Sequence, residues 1–231
     1  MTTKETPFIA TLAGLPPDLE PPPPDSPRGR IIASARTLFA QNGFAATSIR
    51  TIANGASVNL AMVNYYYSTK KLLYQRVIIG ELINSFRIIQ HDLPAELSPD
   101  KIILRLPLAI ANMLRNNPIW AQLIRRELAE GAPNFKIILE QLGEYGPTGL
   151  RDVIISTFQK ASNQGDLKQI EPLDVIPFLI ALGYGMVLLD PILSVVSGKS
   201  VSDDSAWTSR MEAMQVILYD GLRNKTGETE Q

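Results

Sequence analysis

The chain has 231 residues, 45% of them apolar, with no cysteine and a formal charge of -1. That length accommodates a small head and a larger body, and the missing thiols exclude disulfides, thiolate metal sites and cysteine nucleophiles. Net charge gives no reason to expect a nucleic-acid partner, but its distribution does. Between Arg28 and Arg76 stand seven basic residues and not one carboxylate, whereas residues 77–231 hold 14 basic and 19 acidic side chains. A cationic segment free of carboxylates neutralises phosphates and releases counterions, while an acidic body is repelled by the same duplex. Only one end is expected to face DNA.

Residues 1–26 contain Pro16, Pro17 and the run Pro21 to Pro24. Prolines have no amide donor and favour extended conformations, so this segment reads as a disordered arm, poor in phosphate-binding cations. No basic stretch followed by an apolar run opens the chain, which makes a cytoplasmic location the default expectation. From Ser26 onward the apolar spacing is helical and no run alternates with a period of two, so the fold class is all-α. The first helix opens at Ser26-Pro27, a cap residue with proline at the first helical position, carries Ile31, Ala35, Leu38 and Phe39 inward, and ends at Gly43. Thr47 is expected to cap a second helix with Ile49, Ile52 and Ala53 facing in. Residues Asn54 to Ser57 make a turn, and Asn59 caps a short third helix to Tyr66. Ser68 or Thr69 then starts a long fourth helix through Leu72, Leu73 and Val77.

The body reads as five or more helices separated by breakers such as Asn116-Asn117-Pro118, Gly131-Ala132-Pro133 and Glu171-Pro172. Residues 173–197 are apolar almost all round, and residues 206–222 carry a stripe of Trp207, Met211, Met214, Leu218 and Leu222. Both need covering. The expectation is a homodimer in which these two elements pair with their copies as a four-helix interface, with Gly183 and Gly185 allowing close approach; packing of both inside one subunit is the alternative. The run Val175 to Leu189 is too short to span a membrane.

Catalysis finds no support. His91 beside Asp92 lacks any other His or Cys with which to complete a metal site. Gly198-Lys199-Ser200 imitates the end of a phosphate-binding loop, but Leu193 stands where the first glycine is needed. The carboxylate pairs Asp203-Asp204 and Glu228 with Glu230 fall in loop or tail, so no catalytic residue, metal or cofactor is expected.

The stretch from Gly43 to Ala53, continued by Val58-Asn59 and by Val63 to Leu73, resembles the DNA-binding head of the TetR family of regulators over about 50 residues without a gap. The wording Val63-Asn64-Tyr65 followed by aromatics resembles the branch whose C-terminal domains are called CerR-like. Three positions depart from the family pattern: Ser57 stands where glycine is usual, Leu60 where a Lys, Arg or Pro is common, and Tyr66 where His is frequent. The resemblance implies a helix-turn-helix domain over 27–78, an effector-binding and dimerisation domain over 79–225 and a tail over 226–231. A helix of about two turns projects small or polar side chains into a major groove about 12 Å wide. Asn64 is the candidate for a bidentate adenine contact, Leu60 and Ala61 for thymine methyls, and Asn59 and Tyr65 border them. Thr47, Ser48, Tyr66 and Lys70, joined by Arg50, lie where hydroxyls, amides and cations grip phosphate. Val63 and Tyr67 read as core. The family also implies an unidentified small-molecule effector, for which Met113, Trp120, Tyr145, Phe158 and Tyr184, with Arg125 or Arg126 as anion partner, are candidate pocket residues; plain core is the alternative for each apolar one, and for Arg125-Arg126-Glu127 a solvated face. Two readings stay open: a dimeric, ligand-responsive regulator of a palindromic operator, and a helical binding module with only weak DNA affinity.

Overall fold

Ser26 and Pro27 open the first helix by the chemistry that marks them in the sequence. In the computed structural model, which describes residues 17–94, 97–142 and 147–224, the Ser26 hydroxyl accepts the Gly29 amide at 3.0 Å and Pro27 occupies the first helical position. Eleven helices follow one another among the described residues: α1 (Pro27–Ala46), α2 (Ile49–Gly55), α3 (Leu60–Tyr66), α4 (Lys70–Asp92), α5 (Pro99–Arg115), α6 (Pro118–Ala129), α7 (Pro133–Leu142), α8 (Pro147–Asn163), α9 (Pro172–Leu188), α10 (Asp190–Ser197) and α11 (Asp204–Leu222). The fold is all-α. The one extended pairing described is an isolated antiparallel bridge between Leu167 and Arg223.

These residues divide into two compact units, and the unit that holds the head is larger than the segment 27–78. It spans 17–86 and also takes 117–142, so α6 and α7 belong with the head although they lie far along the chain. Its centre is built as the periodicity requires: Ile31, Ala35 and Phe39 of α1 bury against Ile52 and Ala53 of α2, Val63 of α3, and Tyr67, Leu73 and Val77. Phe39 and Phe44 meet the Tyr74 ring edge-on at 4.9 and 5.3 Å. The arm needs correcting in its described part. Residues 17–26 are held against the head, because Arg76 of α4 donates to the Asp18 carbonyl at 3.0 Å and pairs with its carboxylate at 3.2 Å. The Ser26 hydroxyl further fixes the Pro23 carbonyl at 2.7 Å.

A buried polar triad closes this unit. Arg36 of α1 pairs with Glu81 of α4 and donates to Asn117 Oδ1 at 2.7 Å, and Asn117 Nδ2 donates back to Glu81 at 2.8 Å. Each member therefore satisfies the other two, as buried polar groups require. Glu127 of α6 is likewise buried, and it accepts from the Asn134 backbone at 3.2 Å and side chain at 2.9 Å. Burial, reinforced by the Glu127 carboxylate, pushes the Tyr74 hydroxyl far above its ordinary range and keeps it a donor to that carboxylate. Glu127 therefore does not belong to a solvated face.

The second unit is centred on α5, which buries Ile103, Leu106, Ala111, Met113 and Leu114. Helix α9 crosses it closely at Gly183, where a Cβ would lie 2.7 Å from the Pro107 carbonyl and 2.8 Å from Ile110. Gly183 thus serves an approach inside the subunit. The expected apolar element 173–197 is two helices, because Leu189-Asp190-Pro191 breaks it and α10 leaves α9 at 74°. The stripe on α11 also turns inward: Trp207, Met211 and Met214 are buried, and the Trp207 indole donates to Asn112 of α5 at 2.9 Å. What α9, α10 and α11 expose is a different set of apolar residues, among them Phe178, Ile192, Val195, Val216 and Ile217. No single helix among the described residues is long and apolar enough to cross a membrane.

Candidate nucleic-acid interface

Two short helices are presented by their caps. Ser48, not Thr47, caps α2, its hydroxyl accepting the Thr51 amide at 3.0 Å. Thr47 is buried and donates its hydroxyl to the Gly43 carbonyl at 2.7 Å and the Leu38 carbonyl at 3.1 Å, so it anchors the entry to α2 from inside. Asn59 caps α3 as expected by accepting the Met62 amide at 2.8 Å. Thr69 accepts the Leu72 amide at 3.0 Å ahead of α4.

Helix α3 buries Val63 completely and exposes Leu60, Ala61, Asn64, Tyr65 and Tyr66. Leu60 with Asn64, and Ala61 with Tyr65, are spaced four apart and share the face opposite the core. Tyr65 is 82% exposed, with its ring edge-on to that of Tyr66 at 5.2 Å. Ser48 and Arg50 of α2 are exposed as well. Of the ten residues read from the sequence as DNA contacts, eight are therefore on the surface, and Thr47 and Lys70 are not placed as contacts.

Lys70 is half-buried and its ammonium donates to the carbonyls of Phe44, Thr47 and Ala45 at 2.9, 3.1 and 3.3 Å, above the Phe44 ring at 4.5 Å. A side chain so held neutralises the carbonyl end of α1 and is not available as a phosphate grip. The charge of the head is correspondingly smaller in effect than the sequence implies. Arg36 is paired with Glu81 and Arg76 with Asp18, and Arg30 donates to the carbonyls of Asp25 at 2.9 Å and Ala56 at 3.3 Å. Arg50 and Lys71 are exposed with no carboxylate partner among the described residues. Lys71 was missed in the sequence although its signal, a second cation after Lys70, stands in plain view.

The effector candidates are dispersed. Trp120, fully buried, and Arg125, half-buried, belong to the unit of the head; Met113 and Phe158, buried, and Tyr184, half-buried, belong to the other. Burial pushes the Tyr184 hydroxyl up to about 12. Tyr145 lies outside the described residues. Phe158 borders an open cleft of about 310 Å³ with Gln159, Ser162, Gln169 and Glu171.

Comparison with known proteins agrees with this geometry. Residues 31–77 match the model of bacterial regulatory proteins of the tetR family. The chain is 26% identical over 198 residues, 84% of its own length and 89% of the relative's, to the HTH-type transcriptional regulator RutR of Escherichia coli K12. Over 53 residues, 23% of this chain and 26% of the other, it is 43% identical to the HTH-type transcriptional regulator YttP of Bacillus subtilis. The crystal structure of the transcriptional regulator SCO4942 from Streptomyces coelicolor has the same fold, with a TM-score of 0.64 at 22% identity, covering 86% of this chain and 99% of that one. These relatives are regulators, not enzymes. An exposed two-turn helix set on a capped partner, in a head whose residues match the tetR family model, supports a DNA-binding transcriptional regulator of the TetR kind.

Proposed function

We propose that the chain is a ligand-responsive repressor that occupies a palindromic operator as a homodimer in the cytoplasm and releases it when a small-molecule effector binds. The observation that carries the reading is the outward face of α3, with Asn64 between Leu60, Ala61 and Tyr65, beside the exposed cap of α2 and the exposed cations Arg50 and Lys71. Asn64 supplies base readout and the cations supply phosphate attraction.

Support for the dimer comes from α9 and α11, whose exposed Leu173, Phe178, Ile180, Val216, Ile217 and Tyr219 form the kind of apolar surface that a two-fold interface buries. Both elements named in the sequence, 173–197 and 206–222, take part, through faces other than the Trp207 stripe. Support for an effector comes from Trp120, whose buried indole N–H has no acceptor among the described residues. An acceptor atom on a small molecule satisfies that donor.

The test is selection of bound fragments from the source organism's DNA at near-physiological salt, followed by sequencing. A sharp inverted repeat is expected; a bound pool no different from random DNA defeats the reading. The second reading, a helical binding module with weak DNA affinity, is favoured by Leu60, which brings no charge to the groove. In that case Asn64→Ala leaves binding to every duplex unchanged.

A further inference from the structure

The carbonyl end of α1 is where the sequence leaves a physical problem unsolved. The helix breaks at Gly43, whose φ of +79° only glycine adopts without strain, and its last turn carries no basic residue of its own. The final carbonyls of a helix need donors and concentrate negative partial charge. Lys70 serves those beyond the break. Those before it are served from α6: Arg126 donates from Nε to the Ala40 carbonyl at 2.9 Å and from Nη2 to the Gln41 carbonyl at 2.8 Å. The guanidinium lies so close that a Cβ on Gly43 would stand 2.9 Å from Arg126 Nη1. Glycine is thus required at 43 for its dihedral, and a Cβ there would also push the guanidinium aside.

We propose that Arg126, more than 80 residues away in sequence and outside the segment matched to the family head, is a positioning residue for DNA reading. The inference rests on the operator-binding function proposed above. The chain of contacts is short. Arg126 fixes Ala40 and Gln41; the Thr47 hydroxyl hangs from the Leu38 and Gly43 carbonyls of the same turn; Ser48, the next residue, caps α2; and α2 carries α3. Two parallel charge-assisted donors hold a turn in one orientation, which a single point charge does not do. Arg126 itself touches no base or phosphate in this scheme; its Nε and Nη2 are committed to carbonyls.

The experiment compares full-length wild type, Arg126→Ala, Arg126→Lys and Arg50→Ala on the selected operator and on a random duplex across a salt series, with folding monitored by circular dichroism. Arg126→Ala is expected to weaken operator binding about tenfold, to leave the random duplex and the slope of affinity against salt unchanged, and to be partly rescued by Arg126→Lys. Arg50→Ala is expected to lower that slope by about 0.9. Operator affinity within twofold of wild type overturns the proposal, as does a shallower slope for Arg126→Ala, which marks a direct phosphate contact, or an equal loss on both duplexes. If Arg126→Ala does not fold, Arg126→Lys decides: weaker operator binding at an unchanged slope supports positioning, and wild-type binding overturns it. Failure of the wild type to select any sequence defeats the operator reading itself and is seen before any variant is made.

Discussion

Helix α3 and the surface of α9 to α11 both show large apolar side chains to solvent, and they differ in the charges around them. On α3, Tyr65 is 82% exposed and Leu60 41%, in a stretch where Arg50 and Lys71 have no carboxylate partner among the described residues and no carboxylate occurs between residues 28 and 76. On the other surface Phe178 is 76% exposed and Ile217 68%, beside the exposed carboxylates Asp174, Glu212 and Asp220. Apolar exposure alone distinguishes nothing between them. A cationic rim suits a polyanion whose bases offer methyl and ring edges, whereas an apolar patch bordered by carboxylates repels DNA and suits a second protein surface. In the proposed mode the same kind of side chain serves recognition on α3 and association on α9 to α11.

The strongest way to break the comparison is Phe178→Glu. In the proposed dimer this substitution puts a carboxylate into the apolar surface that pairs with the second copy, so light scattering is expected to report the mass of a single subunit with helicity retained. Operator affinity should then fall on the order of a hundredfold as the linkage between half-sites is lost. A variant that remains dimeric and binds normally moves the pairing surface away from α9. Next in size is Asn64→Ala, expected to cost about 1–3 kcal/mol on the selected operator and nothing on random DNA, read by competition titration. Arg50→Ala is expected to weaken all duplexes evenly and to flatten the salt dependence. If the two variants behave alike, α3 holds phosphate and does not read sequence.

What the sequence made legible was local. Ser26-Pro27, Asn59 and Thr69 act within three residues of themselves, so their capping roles follow from neighbours in the chain. The burial of Val63 and Tyr67 followed from helical period. What stayed hidden depends on partners distant in sequence. Lys70 sits at a helix start and reads as a phosphate grip until carbonyls 23 to 26 residues upstream claim it. Arg126 reads as an anion partner or as part of a solvated face, since its acceptors are 85 and 86 residues away. Thr47 and Ser48 are adjacent hydroxyls that can both cap a helix, and the anchoring of one to the α1 carbonyls leaves the other as the cap. On α11 a stripe of Trp207, Met211 and Met214 announces burial without saying against what, and α5 of the same subunit turned out to be the partner.

The smallest effect tests how α3 is set on α2. Beyond Ala56, the Val58 amide donates to the Ala53 carbonyl and the Ser57 amide to the Asn54 carbonyl, each at 3.1 Å, which is a Schellman closure of α2. Its left-handed position falls on Ser57, at φ +53°, the residue that stands where the family has glycine. A side chain there costs roughly 1–2 kcal/mol, against which glycine loses about 0.5–1 kcal/mol of extra chain entropy on folding. Ser57→Gly is therefore expected to stabilise by about 0.5 kcal/mol, raising Tm by about 2 °C and leaving operator affinity alone, because Ser57 supports the turn and does not face the duplex in the proposed mode. A lower Tm shows that the serine hydroxyl contributes more than its backbone strain removes. Tighter operator binding shows that the turn limits how α3 enters the groove, and extends the positioning role assigned to Arg126 from the start of α2 to its end.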